Sequence, residues 1–157
     1  MAVLIKNKQN LYQLSHPKIT QKAQAVLNAL GCPDGELSLL ILDNPQITEL
    51  NQKYLNRKGP ANVIAFPMRE GGYSEIAPQL LGDVVISVEK AADEGKSFGI
   101  SMEERFLQLM VHGILHLFGY DHEKSDKEEL IMEKKSEDLM QIIGKKEEIN
   151  GRTGCKC

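Results

Sequence analysis

Three of the four histidines in this chain stand at a spacing that can hold a metal: His112, His116 and His122, in the run HGILHLFGYDH. On a helix, residues four apart differ by only ~40° around the axis, so His112 and His116 leave the same stripe. Gly119 stands where a glycine ends a helix, and a chain turned there can bring His122 back to the same point. Three neutral imidazoles are a common ligand set for catalytic zinc, with the fourth position left to water. Such a metal activates water near neutral pH and polarises a carbonyl or phosphoryl oxygen, so hydrolysis is the implied reaction class, with one metal ion per chain. Imidazole also suits copper, nickel and iron, so donor type alone does not select zinc. The remaining histidine, His16, precedes Pro17 without such company and reads as a surface residue.

The spacing is similar to the metzincin peptidase signature H-E-x-x-H-x-x-G-x-x-H, except that Gly113 replaces its glutamate. Without that carboxylate a peptidase lacks the group that takes a proton from water and passes it to the leaving amine. A helical glycine costs about 1 kcal/mol against alanine, so Gly113 implies room beside the metal or a close backbone approach. Asp121 is the nearest candidate catalytic carboxylate, to orient a ligand or handle a proton; it reads equally as a turn residue of Gly-Tyr-Asp.

These histidines need a helix, and Ser101 with Glu104 three residues later supplies its capping signal. From Phe106 to Phe118 the segment is apolar almost all round, as in a buried helix, with Arg105, His112 and His116 left on one stripe. Upstream, Ala2–Lys6 reads as an edge strand, Pro17 opens a helix stopped by Gly31, and Glu36–Asp43 is a central buried strand. Asn44 and Pro45 then stand as cap and first helical residue of a helix carrying Ile47, Leu50, Asn51 and Tyr54. Strands at Asn62–Phe66 and Asp83–Ser87 flank a Gly- and Pro-containing loop, Pro67–Pro78. Ser87 caps a helix through Lys96, and Ser125 with Glu128 starts another. The expected fold is α+β: a single mixed sheet of about four strands packed with four to five helices, with the central buried helix carrying the histidines. Residues 1–150 read as one hydrolase domain and 151–157 as a flexible C-terminal tail.

The net charge of -3 excludes a uniformly basic nucleic-acid coat, but the charge is segregated. Residues 1–33 carry Lys6, Lys8, Lys18 and Lys22 with no carboxylate, and in 45–69 Lys53, Arg57, Lys58 and Arg69 face only Glu49. These segments suit a wall that tracks a phosphate backbone, with Tyr54 or Phe66 available to stack on bases; core packing is the competing reading for both aromatics. No apolar run approaches the ~18 residues that cross a bilayer, and the N-terminal apolar stretch precedes its lysines, unlike a signal peptide. Cysteines at 32, 155 and 157 form no disulfide framework, so a reducing cytoplasm and no membrane partner are expected; the terminal C-x-C is a metal-binding pair or part of a loose tail.

At HGILHLFGYDH the sequence resembles the YbeY family of bacterial rRNA maturation factors, whose hallmark is H-G-x-L-H-L-x-G-Y-D-H. The resemblance extends to Leu81–Ser87, Glu104-Arg105 and Met132-Glu133. It implies an α+β, metal-dependent, single-strand-specific endoribonuclease of small-subunit rRNA processing and ribosome quality control, acting on RNA rather than DNA. It also implies zinc held by His112, His116 and His122. One stretch departs from the family pattern Y-R-x-x-x-x-P-T-[DN]-V-L-S-F-P: here Leu55 stands at the arginine, and Ala61 and Ala65 stand where hydroxyls are common. Arg57 is then the candidate catalytic residue for steadying phosphate charge, against a plain solvated turn charge. Two other readings remain: a zinc peptidase, and a non-catalytic RNA-binding protein of ribosome assembly.

Overall fold

The fold is seen in a computed structural model that describes residues 3–68, 80–120 and 125–144. In chain order the elements are β1 (Val3–Asn7), α1 (His16–Ala29), β2 (Glu36–Leu42), α2 (Asn44–Leu55), β3 (Val63–Pro67), β4 (Leu80–Ser87), α3 (Val88–Phe98), α4 (Met102–Leu117) and α5 (Asp126–Gly144). The four strands form one mixed sheet in the order β1-β2-β4-β3; β1, β2 and β4 are parallel and β3 is antiparallel to β4. The α+β expectation is met, and β1 lies at the edge with β2 inside, as the apolar runs require.

The alternation of strand side chains sends two apolar sets to opposite faces. Leu39 and Ile41 of β2 with Val84 and Ile86 of β4 join Phe106, Met110 and Ile114 of α4 in one core, to which α1 and α5 add Ile19, Val26, Met132 and Leu139. Leu42, Ile64 and Val85 point the other way, onto Ile47 of α2. The histidine-bearing α4 thus covers one face of the sheet and α2 the other.

Local signals are sharpened in two places. Asp43, not Asn44, caps α2: its carboxylate accepts from Gln46 N at 3.0 Å, and Gln46 Oε1 accepts from Asp43 N at 3.0 Å. Asn44 becomes the first helical residue because it is used elsewhere: its Oδ1 accepts from Ser87 Oγ at 2.7 Å and its N–H donates to Glu89 Oε1 at 2.7 Å, tying α2 to the start of α3. The helix capped by Ser87 runs two residues past Lys96 to Phe98, before Gly99. Among the described residues no helix is long and apolar enough to cross a membrane. The tail with Cys155 and Cys157 lies outside the described residues.

Gly82 is the tightest point of the sheet. It has φ +136°, and a Cβ there would overlap the Phe66 carbonyl oxygen on β3. Its neighbour Leu81 is the extra residue of an irregular β2–β4 pairing in which Leu80 faces Glu36 and Gly82 faces Leu37. Gly82→Ala is expected to lower stability by roughly 2–4 kcal/mol through combined strain and overpacking. Urea unfolding checks this, and an unchanged midpoint would mean that β3 yields freely at Phe66.

Candidate active site

Helix α4 starts at Ser101, whose Oγ accepts from Glu104 N at 3.0 Å; Glu103 and Glu104 in the first turn complement the positive helix end. Its last turn closes on Gly119, at φ +95°: Gly119 N donates to His116 O at 3.0 Å and Tyr120 N to Leu115 O at 3.1 Å. This is the left-handed glycine stop expected from the sequence.

Between these ends Phe106, Met110, Val111, Ile114 and Leu115 are fully buried, while Arg105, Gln108, His112 and His116 share one half-buried stripe. The two imidazoles converge, with Nε2 atoms 3.0 Å apart and ring centroids 4.6 Å apart at 75°. Two nitrogens bound at 2.0–2.1 Å to one tetrahedral ion stand about 3.3 Å apart, so the pair fits a shared small cation of the zinc class. His122 and Asp121 lie outside the described residues. Among the described residues no three His, Cys, Asp or Glu side chains are grouped to hold a metal.

Beside His112 is a cavity of about 480 Å³ lined by Asn62 at the start of β3, Arg105 and Gln108 of α4, and Ser136, Glu137 and Gln141 of α5. Arg105 is held on several sides. Its Nε donates to Glu94 Oε1 at 2.9 Å, its Nη1 to Gln108 Oε1 at 2.8 Å, and its guanidinium lies 4.9 Å from the Phe98 ring centre. Asn62 Nδ2 donates to the same Glu94 carboxylate at 3.2 and 3.3 Å. Sequence reasoning placed Arg105 on the histidine stripe but gave it no role, and it missed Glu94 and Asn62. Only the three- and four-residue spacing of Arg105, Gln108 and His112 along one helix face signalled the cavity wall.

Arg57 is placed elsewhere. It is exposed in the connection after α2, which packs on the other face of the sheet, and its side chain has no partner among the described residues. Asn51 pins that connection by donating to Gly59 O at 2.9 Å. Leu55 is 37% exposed at the end of α2, and Ala61 and Ala65 are half-buried against the two cores.

Nor do Lys6, Lys22 and Lys53 of the basic segments stand beside the imidazoles. Lys22 is buried and donates to Ile143 O at 2.6 Å, where it meets the carbonyl end of α5. Lys6 lines a groove on the α2 face with Ser38, Tyr54, Phe66 and Asp83. Lys53 lies 5.4 Å from the Tyr54 ring centre on the same element. Tyr54, 58% exposed, meets Phe66 edge-on at 5.9 Å; Phe66 packs against the core on the α2 side, so of the two aromatics it is Tyr54 that lies open.

The Endoribonuclease YbeY family profile matches residues 4–144. A relative from Geobacter metallireducens, named Endoribonuclease YbeY, is 41% identical over 91% of this chain and 96% of its own length. Another of that name from Aquifex aeolicus is 44% identical over 81% of each chain. The fold is similar to the solution structure of TM1509 from Thermotoga maritima, with TM-score 0.63 and 23% identity over 90% of this chain and 88% of that one.

Gly113 is explained by close approach: a Cβ there would lie 2.6 Å from Val84 Cγ1 and 3.2 Å from Val63 Cγ2. It faces the sheet, where a peptidase-type glutamate would have to enter the core. Gly113→Ala is expected to lose about 1–2 kcal/mol, because displacing a buried valine outweighs the gain in helix propensity. Thermal unfolding tests this; a stabilised variant would show that α4 can lift off β4 without cost.

Proposed function

The chain belongs to the Endoribonuclease YbeY family and is an endoribonuclease, and we propose that it cuts single-stranded RNA at a zinc centre built on His112 and His116 and completed by His122. The observation that carries this is the 3.0 Å approach of the two Nε2 atoms on the one polar stripe of a buried helix. A zinc ion held there supplies Lewis-acid activation of the phosphodiester and of the attacking nucleophile. The protein's own part is to bind and position. His112 and His116 enter as neutral donors fixed by the packing of α4, and the neighbouring cavity accepts the RNA strand. Asp121, next to His122 in sequence, is assigned to ligand orientation or proton transfer. Arg57 is assigned to a more distant phosphate from the α2–β3 connection, where its exposed side chain is unengaged among the described residues. The nucleophile is water or the neighbouring 2′-hydroxyl.

The physiological substrate we propose is small-subunit rRNA in the cytoplasm, in maturation and quality control at the ribosome. The peptidase reading lacks support: Gly113 stands at the base position, against Val84.

His116→Ala is expected to abolish stoichiometric zinc in the purified protein and to reduce cleavage of an unpaired oligoribonucleotide by at least about 100-fold, with duplex RNA uncut by the wild type. Elemental analysis and a gel assay read both. Wild-type protein that cuts RNA with neither bound metal nor dependence on His116 would overturn the assignment. A 2′,3′-cyclic phosphate product would identify the 2′-hydroxyl route.

A further inference from the structure

We infer that Arg105 is a substrate-binding residue, clamping a phosphate adjacent to the one that is cut, and that Glu94 is its positioning residue. The inference rests on the RNA-cleaving site proposed above. Arg105 and His112 stand seven positions apart, a rise of about 10 Å along α4 on the same face, and both line the same cavity. One phosphate cannot span that separation, so a guanidinium and an imidazole pair in this arrangement suit successive phosphates of one strand.

The way Arg105 is held argues for a ligand rather than a plain clip between helices. A clip needs only the Glu94 contact. Here the carboxylate takes Nε, Gln108 takes one Nη1 proton from the neighbouring turn, and the flat face lies over Phe98, itself 59% exposed. Of five N–H donors, three have no partner among the described residues, including both on Nη2. That leaves an edge with the fork geometry that matches two phosphate oxygens. The side chain is 19% exposed, so the rotamer entropy of fixing a long side chain is already spent before RNA arrives. Arg105 is also the one cation among the described residues that line this cavity. Glu94 engages Asn62 as well, so one carboxylate orients a group just before β3 and one on α4 on the same wall.

The test is binding of a single-stranded, cleavage-resistant 2′-O-methyl phosphorothioate oligonucleotide to the metal-loaded full chain, by fluorescence anisotropy over a salt series. Loss of one phosphate contact lowers the slope of log affinity against log salt by about 0.7 on a single strand. Arg105→Gln is expected to weaken binding about tenfold with that loss of slope. Arg105→Lys should keep the slope and bind a few-fold more weakly, because a point charge replaces the fork. Glu94→Gln should keep the slope and weaken binding about threefold. A folded Arg105→Gln with wild-type affinity and slope overturns the inference, even if its melting temperature falls as a clip would predict. If Arg105→Gln does not fold, the other two variants decide: weaker binding at unchanged slope supports the clamp, and wild-type binding in both overturns it. Loss of cleavage in His116→Ala beside a neutral Arg105→Gln removes the clamp and leaves the RNA-cleaving site standing. Wild-type protein that neither binds nor cuts RNA removes both.

Discussion

The contact on which the site depends is the approach of α4 to β4 at Gly113, where no side chain intervenes between the helix backbone and Val84. It fixes the rotation of α4 about its own axis. With Gly113 seated on the sheet and Phe106, Met110, Val111, Ile114 and Leu115 wholly buried, the only arc left for polar side chains is the one carrying Arg105, Gln108, His112 and His116. Each large apolar residue contributes roughly 1.5–3 kcal/mol of burial, so a rotation that moved the imidazoles off this arc would expose several of them at once. The histidines are therefore positioned by the core on the opposite side of their own helix. A site held this way is more precise than one carried by loops.

Charge is arranged on the same economical basis. A chain of net charge -3 that acts on a polyanion must place its cations where they matter. Lys22, one of the four cations of the N-terminal segment, is consumed internally at Ile143 O, where it satisfies the carbonyl end of α5. Lys6 and Lys53 belong to the α2 face, beside Tyr54 and Asp83. Among the described residues, the cation that lines the cavity beside His112 is a single arginine, held by a carboxylate and an amide. Local order substitutes for number: one fixed guanidinium in a half-buried cavity interacts more strongly than several lysines screened by solvent.

The legible parts of the fold were those set by periodicity and caps. The apolar run of β2, the glycine stop at Gly119 and the four-residue spacing of His112 and His116 are local signals, and the chain obeys them. What was not legible needed partners distant in sequence. Asp43 takes the cap of α2 because Gln46 reciprocates and because Ser87 and Glu89, more than forty residues on, occupy Asn44. Gly113 left two readings open, room beside a metal or backbone approach, until Val84 and Val63 were seen against it. Lys6, Lys22 and Lys53 depart from the expected one-sided basic wall for the same reason: linear charge segregation carries no information about which face of a sheet each lysine meets, and β1 and α2 deliver Lys6 and Lys53 to the face opposite α4. Glu94 was invisible because its partners, Asn62 and Arg105, come from two other elements.

The two ends of α4 also divide the electrostatic work. The carbonyl end of a helix carries a partial negative charge and favours cations, and His116 lies in that last turn. A cation bound between the imidazoles would thus gain from the helix itself as well as from the two side chains. Arg105 sits in the opposite position, one turn from the amide end, where a positive charge is disfavoured. Glu103 and Glu104 in the first turn and the Glu94 carboxylate on Arg105 offset that cost. The acids around the start of α4 are accordingly what allow a guanidinium to stand there, not competitors of the substrate's phosphates. With a cation bound between the imidazoles, such a helix would lay two positive sites along one face, the charge pattern an extended phosphodiester chain presents in reverse.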